Sequence, residues 1–177
     1  MAAPRGTNRQ LSPALLRNCI LVLCFIGLCI SLFALYVEVI KEKNPDYVAL
    51  CDVNSYMTCS RVLTSRYAKG FGLVEKIFSN TSIVNQPNTV FGLAFYTFQA
   101  SLATRSSVPS ALGLTVGSAF ANVGSIYLGY ILAFVLKDFC IVCVSTYVVN
   151  FLLLVASALK LKEAARAEIK EISKKKK

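Results

Sequence analysis

The chain has 177 residues, 55% of them hydrophobic, and 19 Lys and Arg against 9 Asp and Glu give it a net charge of +10. So large an apolar share exceeds what a soluble core of this size uses, and the composition points to a single domain in a membrane. The positive charge gathers at the termini, outside the apolar runs and with no basic face interleaved with aromatics, which fits lipid headgroups and argues against nucleic acid.

Arg5, Arg9 and Arg17 precede an uncharged run from Asn18 to Val37. The run is longer than a signal-peptide core, and no small-x-small cleavage site follows before Glu38, so a retained first span over about 18–38 is expected, with a cytoplasmic N-terminus. Cys19, Cys24 and Cys29 step by five residues, about 140° of helical turn each, and share no face. They read as packing residues, with Cys19 a candidate for acylation.

From 41 to 87 the chain turns polar and mixed in charge, as a lumenal cap with short helices would. On one straight helix Cys51 and Cys59 would lie about 12 Å apart, beyond the ~7 Å limit for a disulfide, so they meet only if the chain bends between them. Asp52, Asn54 and Ser55 are suitable turn formers. Farther on, Phe71, Val74 and Phe78 fall on one side of a short amphipathic helix, lying on lipid or equally packed in the loop. Asn80-Thr81-Ser82 is a glycosylation sequon, and a glycan on Asn80 would make this loop lumenal.

Pro87-Asn88 opens a second span over about 89–104. It is short, so its start is expected beneath the cap, with the Asn88 amide near membrane level and in need of a partner. Arg105-Ser106-Ser107 makes a tight return. A third span follows over about 109–136, where Gly113, Gly117, Ala121 and Gly124 form a small-residue ridge for close helix packing.

After Lys137-Asp138, 21 residues from Phe139 to Leu159 carry no charge. They form a fourth span over about 139–160, on which Cys140, Cys143, Tyr147 and Asn150 share a stripe about 80° wide. Asp138 is the expected N-cap, and the free amides of the first turn would stabilise a thiolate at Cys140 or Cys143. A reactive dithiol is the functional reading; mere glue between helices is the structural one. A metal centre is disfavoured, because the chain has no His and its other cysteines lack zinc-ribbon spacing.

The basic tail, 160–177, ends in four lysines, which resemble a dilysine retrieval signal of the endoplasmic reticulum or serve to attract anionic lipid. Twelve positive residues lie in the N-terminus, the Arg105 turn and the tail, against seven in the cap and at Lys137. Both termini are therefore expected in the cytoplasm, and both cysteine pairs on the opposite, disulfide-permissive side. The expected fold is an all-α membrane protein, a four-transmembrane-helix bundle with a lumenal cap, forming one domain over 1–177.

Several stretches resemble a known family: Ala49-Leu50-Cys51-Asp52-Val53, Thr58-Cys59-Ser60-Arg61-Val62, Lys69-Gly70-Phe71-Gly72-Leu73-Val74-Glu75, Asn85-Gln86-Pro87-Asn88-Thr89-Val90-Phe91-Gly92 and Asp138-Phe139-Cys140-Ile141-Val142-Cys143. Together they are similar to the vertebrate-type vitamin K epoxide reductase family, in a paralogous branch; Tyr67 departs from the Trp expected in that pattern. The resemblance implies a membrane oxidoreductase of the endoplasmic reticulum that reduces vitamin K 2,3-epoxide to quinone and quinone to hydroquinone, in support of gamma-carboxylation. Vitamin K would be substrate, with no permanently bound cofactor.

It further implies a relay. A lumenal thioredoxin-like partner would reduce a Cys51–Cys59 disulfide, Cys59 would attack a Cys140–Cys143 disulfide through a transient Cys59–Cys140 bond, Cys143 would attack the substrate, and Cys140 would resolve the adduct. Asn88 and Tyr147 would donate hydrogen bonds to the naphthoquinone oxygens, where warfarin-type anticoagulants compete, and Phe91, Tyr96 and Leu128 would line the same pocket. The residues themselves agree that one thiol pair must meet a water-soluble donor and another a lipid-soluble acceptor. Tyr147, one turn deeper than Cys143, is placed to stabilise charge on a ring oxygen, and without a Gly-rich dinucleotide motif electrons should arrive through thiols. Two alternatives stand: a quinone-dependent disulfide-forming oxidase with the same wiring reversed, and a non-catalytic four-span scaffold with a structural Cys51–Cys59 bond.

Overall fold

The computed structural model describes residues 12–54, 56–74 and 85–176. Asn80 and Phe78, the sequon and one end of the expected amphipathic face, lie outside the described residues. Four long helices carry the fold. They are α1 (Pro13–Lys43), α3 (Asn88–Ala103), α4 (Val108–Tyr130) and α5 (Ile141–Lys175), with the five-residue α2 (Cys59–Leu63) between the first two. Proline stands in the first turn of α1 and α4, where its missing N–H costs no hydrogen bond. Beyond Tyr130, α4 continues as a wider π turn, Ile131–Leu136, and stops at Lys137, whose φ of 51° is left-handed.

Helix α1, α4 with its π turn, and α5 are each long and apolar enough to cross a membrane. Helix α3 has 16 residues and rises about 24 Å, short of a ~30 Å hydrocarbon core. Contacts run α1 to α3, α3 to α4, α4 to α5 and α5 to α1, which closes a ring. Large apolar side chains such as Phe25, Phe98, Ile126, Phe134 and Phe151 stay exposed on its outside, as lipid-facing residues do.

Two buried clusters hold the ring together. In one, Ile20, Cys24, Tyr96, Leu114 and Leu153 join α1, α3, α4 and α5; in the other, Ala34, Val37, Cys51, Cys59, Leu132 and Cys140 join α1 and the loop to the start of α5. Of the three N-terminal cysteines Cys24 alone is buried, while Cys19 and Cys29 are exposed. Lys160 Nζ donates to the carbonyls of Ala103 and Arg105 at 2.6 and 2.9 Å, tying the α3–α4 turn to α5.

Gly27 lets the Tyr96 ring lie against the α1 backbone, and any Cβ there would overlap the ring carbons. Gly27→Ala is therefore expected to destabilise the fold by about 1–3 kcal/mol. A thermal midpoint in detergent equal to wild type would show that Tyr96 can move aside.

Three expectations need correction. Helix α5 starts at Ile141, not 139, and its N-cap is Cys140, not Asp138, because the Asp138 carboxylate is taken up by partners in the loop. The segment at 70–72 is a 3-10 turn in which Gly70, Phe71 and Gly72 all have positive φ, so Phe71 turns into the bundle instead of lying on lipid. The small-residue ridge of α4 serves only partly in packing: Gly113 approaches Leu102 and Gly117 approaches Gln99, but Gly117, Ala121 and Gly124 also border a cavity.

Candidate functional site

The loop between α1 and α2 makes the bend that two distant cysteines require. Met57 N donates to Asn54 O at 3.1 Å and Val53 N to Met57 O at 2.9 Å, reversing the chain. Asp52 clasps the two sides: Oδ1 accepts from Ser60 N at 2.9 Å, and Oδ2 from Ser60 Oγ at 2.6 Å and Ala49 N at 2.9 Å. Burial opposes ionisation of Asp52, but those hydrogen bonds and the charge of Lys41 outweigh it and hold the carboxyl below its ordinary value. Cys51 and Cys59 are thereby brought into one buried cluster, close enough for each thiol to affect the other's ionisation.

A second clasp docks α2 on the start of α5. Asp138 is buried, and its Oδ1 accepts from Thr58 N at 3.1 Å and Phe139 N at 2.8 Å, while Oδ2 accepts from the Thr58 hydroxyl. Arg61 stands 3.9 Å from Oδ2, but at 70% exposure it adds little. Phe139 N also donates to Tyr56 O at 3.0 Å. Thr58 and Asp138 are 80 residues apart, and nothing in their local sequence pairs them.

The consequence is a line of four sulfurs. Cys51, Cys59 and Cys140 pack in one buried cluster, and the Sγ atoms of Cys140 and Cys143 are 2.6 Å apart. All four are free thiols. Cys140 Sγ accepts from Cys143 N at 3.2 Å, so the helix-start amides meet sulfur directly. Burial, then the hydrogen bond to Cys59, pushes the Cys51 thiol up to about 12. The hydrogen bond to Cys140, with burial second, pushes Cys59 higher still. Both shifts disfavour the thiolate.

Cys143 borders a cavity of about 460 Å³ inside the ring, a size suited to a small organic molecule. Its walls are mainly apolar: Phe71 from the loop, Phe91 and Phe95 from α3, Phe120 and Leu128 from α4. Phe71 stacks on Phe91 with ring centroids 5.9 Å apart. Where Gly117, Ala121 and Gly124 face inward, the missing side chains leave the room.

The polar groups divide into spent and available. Tyr96 OH donates to Asn150 Oδ1 at 2.8 Å, and Asn150 Nδ2 donates to Ser125 Oγ at 2.9 Å, so both Tyr96 and Asn150 hold the cavity wall with their polar atoms already engaged. Asn88 is half spent. Its Oδ1 accepts from Phe71 N at 2.9 Å and its Nδ2 donates to Tyr67 O at 2.8 Å, which fixes the strained Phe71 turn and leaves one N–H on Nδ2. Tyr147 lines the cavity one turn below Cys143, and its hydroxyl makes no hydrogen bond among the described residues.

The structure thus brings together Cys51, Cys59, Cys140, Cys143, Asn88, Phe91, Tyr96, Leu128 and Tyr147. The clasps made by Asp52 with Ser60 and by Asp138 with Thr58 escaped the sequence reading. Asp beside each cysteine pair was the available signal.

An apolar cavity bordered by one thiol, with a file of thiols leading from the loop, describes a membrane thiol oxidoreductase acting on an apolar molecule. The model of the vitamin K epoxide reductase family matches residues 18–158. The chain is 46% identical to the vitamin K epoxide reductase complex subunit 1 of Rattus norvegicus over 152 residues, 86% of this chain and 92% of that protein. The Mus musculus protein of the same name is 44% identical over the same shares. The chain belongs to the vitamin K epoxide reductase family.

Proposed function

We propose that this protein reduces vitamin K 2,3-epoxide to the quinone, and the quinone to hydroquinone, with electrons that enter at Cys51 and Cys59 and leave at Cys143. The burial of Cys59 and Cys140 in one cluster carries the reading, because only a relay needs those two sulfurs to meet. A lumenal thioredoxin-like protein reduces the Cys51–Cys59 disulfide. Cys59 then attacks Cys140 of the Cys140–Cys143 disulfide, forming the Cys59–Cys140 bond and releasing Cys143; Cys51 attacks Cys59, restoring the first disulfide and freeing Cys140. Reduced Cys143 attacks the substrate in the cavity, and Cys140 attacks the Cys143 sulfur, so that the pair loses two electrons and the substrate gains them.

In this reading α3 is a fourth span, its short length made up by the loop above it, and the loop is a lumenal cap. Both termini lie in the cytoplasm, in the endoplasmic reticulum membrane, as the twelve-to-seven distribution of positive residues favours. Asn88, through its remaining N–H, and Tyr147, through its hydroxyl, hold the ring oxygens. Warfarin-type anticoagulants compete for that place, and the hydroquinone product supports gamma-carboxylation. Run in reverse, the same wiring would make disulfides at the expense of quinone, and the reduction potentials of the two pairs decide the direction.

The test is a trap. With Cys51 and Cys143 both changed to Ser, the Cys59–Cys140 disulfide has nothing to resolve it and should accumulate on mild oxidation, as read by mass spectrometry of the linked peptides. Labelling that put residues 51 and 59 on the opposite leaflet from 140 and 143, or no such bond under oxidation, would refute the relay.

A further inference from the structure

The cavity holds one charged-type group that the relay does not use. Glu38, on the last turns of α1, is 1% exposed and lines the cavity wall. Its Oε2 accepts from Thr89 Oγ1 at 3.2 Å, and its Oε1 has no hydrogen-bond partner. Ser65 Oγ, on the same cavity, is likewise buried and unpartnered. Leaving a carboxyl oxygen buried and unmet is costly, and a ligand polar atom in the cavity would recover that cost.

The surroundings explain why Glu38 does not simply form an ion pair. Among the described residues the cation that acts on Glu38 is Lys69, which is 2.6 Å from Glu42 and paired with it, and Glu42, one turn along α1, adds only like charge. The other titratable groups on the cavity are Cys143, Tyr67, Tyr96 and Tyr147, none of them cationic.

We infer that Glu38 contacts one ring oxygen of the bound quinone through Oε1 and passes its proton to that oxygen as the ring is reduced. The inference rests on the quinone-reductase reading above. A carboxyl suits both ends of the step: as the acid it donates to a quinone carbonyl, and as the carboxylate it accepts from the hydroxyl that replaces it. The balance closes. The Cys140–Cys143 dithiol becomes a disulfide and loses two electrons and two protons; the quinone gains two electrons and a proton on each oxygen. Glu38 supplies one of those protons and takes back one of the two released by the thiols, so it ends as it began. Thr89, holding Oε2, is the positioning residue that leaves Oε1 turned to the ring.

The test uses the full chain in phosphatidylcholine vesicles, with vitamin K quinone as substrate and dithiothreitol as electron source, kcat and KM being followed against pH. Glu38→Gln keeps the size and the contact to a carbonyl but has no proton to give. It is expected to lower kcat by about 10- to 100-fold with KM within about twofold, and to remove the fall of kcat on the alkaline side that wild type shows. Glu38→Asp should recover that alkaline fall. A Gln variant with wild-type kcat and pH profile overturns the inference, and so does a lowered kcat that keeps the alkaline fall, since that pattern belongs to packing alone. Failure of the parent reading looks different: wild type itself would show no dithiol-dependent turnover, and both proposals would fall together.

Discussion

Cys143→Ser is expected to lower dithiol-driven reduction of vitamin K epoxide by roughly 10³-fold or more, while the helix bundle and its ligand cavity remain. Cys143 borders the cavity and touches Cys140, so it is the sulfur that a bound ring can meet. A serine hydroxyl fills nearly the same space but ionises far less readily and cannot form a disulfide, so neither attack on the substrate nor resolution by Cys140 can follow. Quinone binding, measured by fluorescence quenching or thermal shift, should change little. Cys29→Ser is the matching control, because Cys29 is exposed on the outside of α1 and absent from the line of sulfurs. Full turnover by the Cys143 variant would remove this residue from the chemistry.

Asp138→Ala is expected to separate delivery of electrons from their use. The substitution leaves the Thr58 N–H and hydroxyl without their acceptor, while Phe139 N keeps Tyr56 O. At about 1–3 kcal/mol per buried donor left unmet, with two donors α2 loses roughly 2–6 kcal/mol of docking on α5. Cys59 then samples positions away from Cys140, and turnover driven by a reduced thioredoxin-like protein should fall by about tenfold or more. Turnover driven by dithiothreitol, which can reach Cys140 and Cys143 directly, should fall much less. Equal losses with both reductants would mean that Asp138 serves the second pair itself and not the docking of the first. Arg61→Ala, at an exposed site beside the same carboxylate, is expected to be nearly silent.

Much of the architecture was legible because it follows from short-range composition. The run free of charge before Lys137 matches α4 with its π turn, the other two runs fall almost wholly within the longer helices α1 and α5, and Pro87-Asn88 marks the start of α3. The separation of a loop pair from a helix-start pair also survives, but of the three cysteines expected to pack only Cys24 is buried, with Cys19 and Cys29 exposed. Legibility ended where a side chain had two physically reasonable partners. Asp138 was a sound N-cap by local rules, yet the loop offered it three donors, and Cys140 took over the helix start. Tyr96 was expected to line the pocket and does, yet its hydroxyl is taken up by Asn150.

Hydrophobic periodicity and charge, which act over a few residues, were enough to determine a helical membrane protein with two separated thiol pairs. Only the tertiary structure decided that the pairs touch, that missing side chains on α4 open a cavity beside Cys143, and that Glu38 is sealed into its wall with an oxygen unmet. Those outcomes depend on which distant backbone passes nearby, as Thr58 meets Asp138 across 80 residues of chain. No local pattern encodes them, because burial and hydrogen-bond satisfaction are settled for the whole bundle at once.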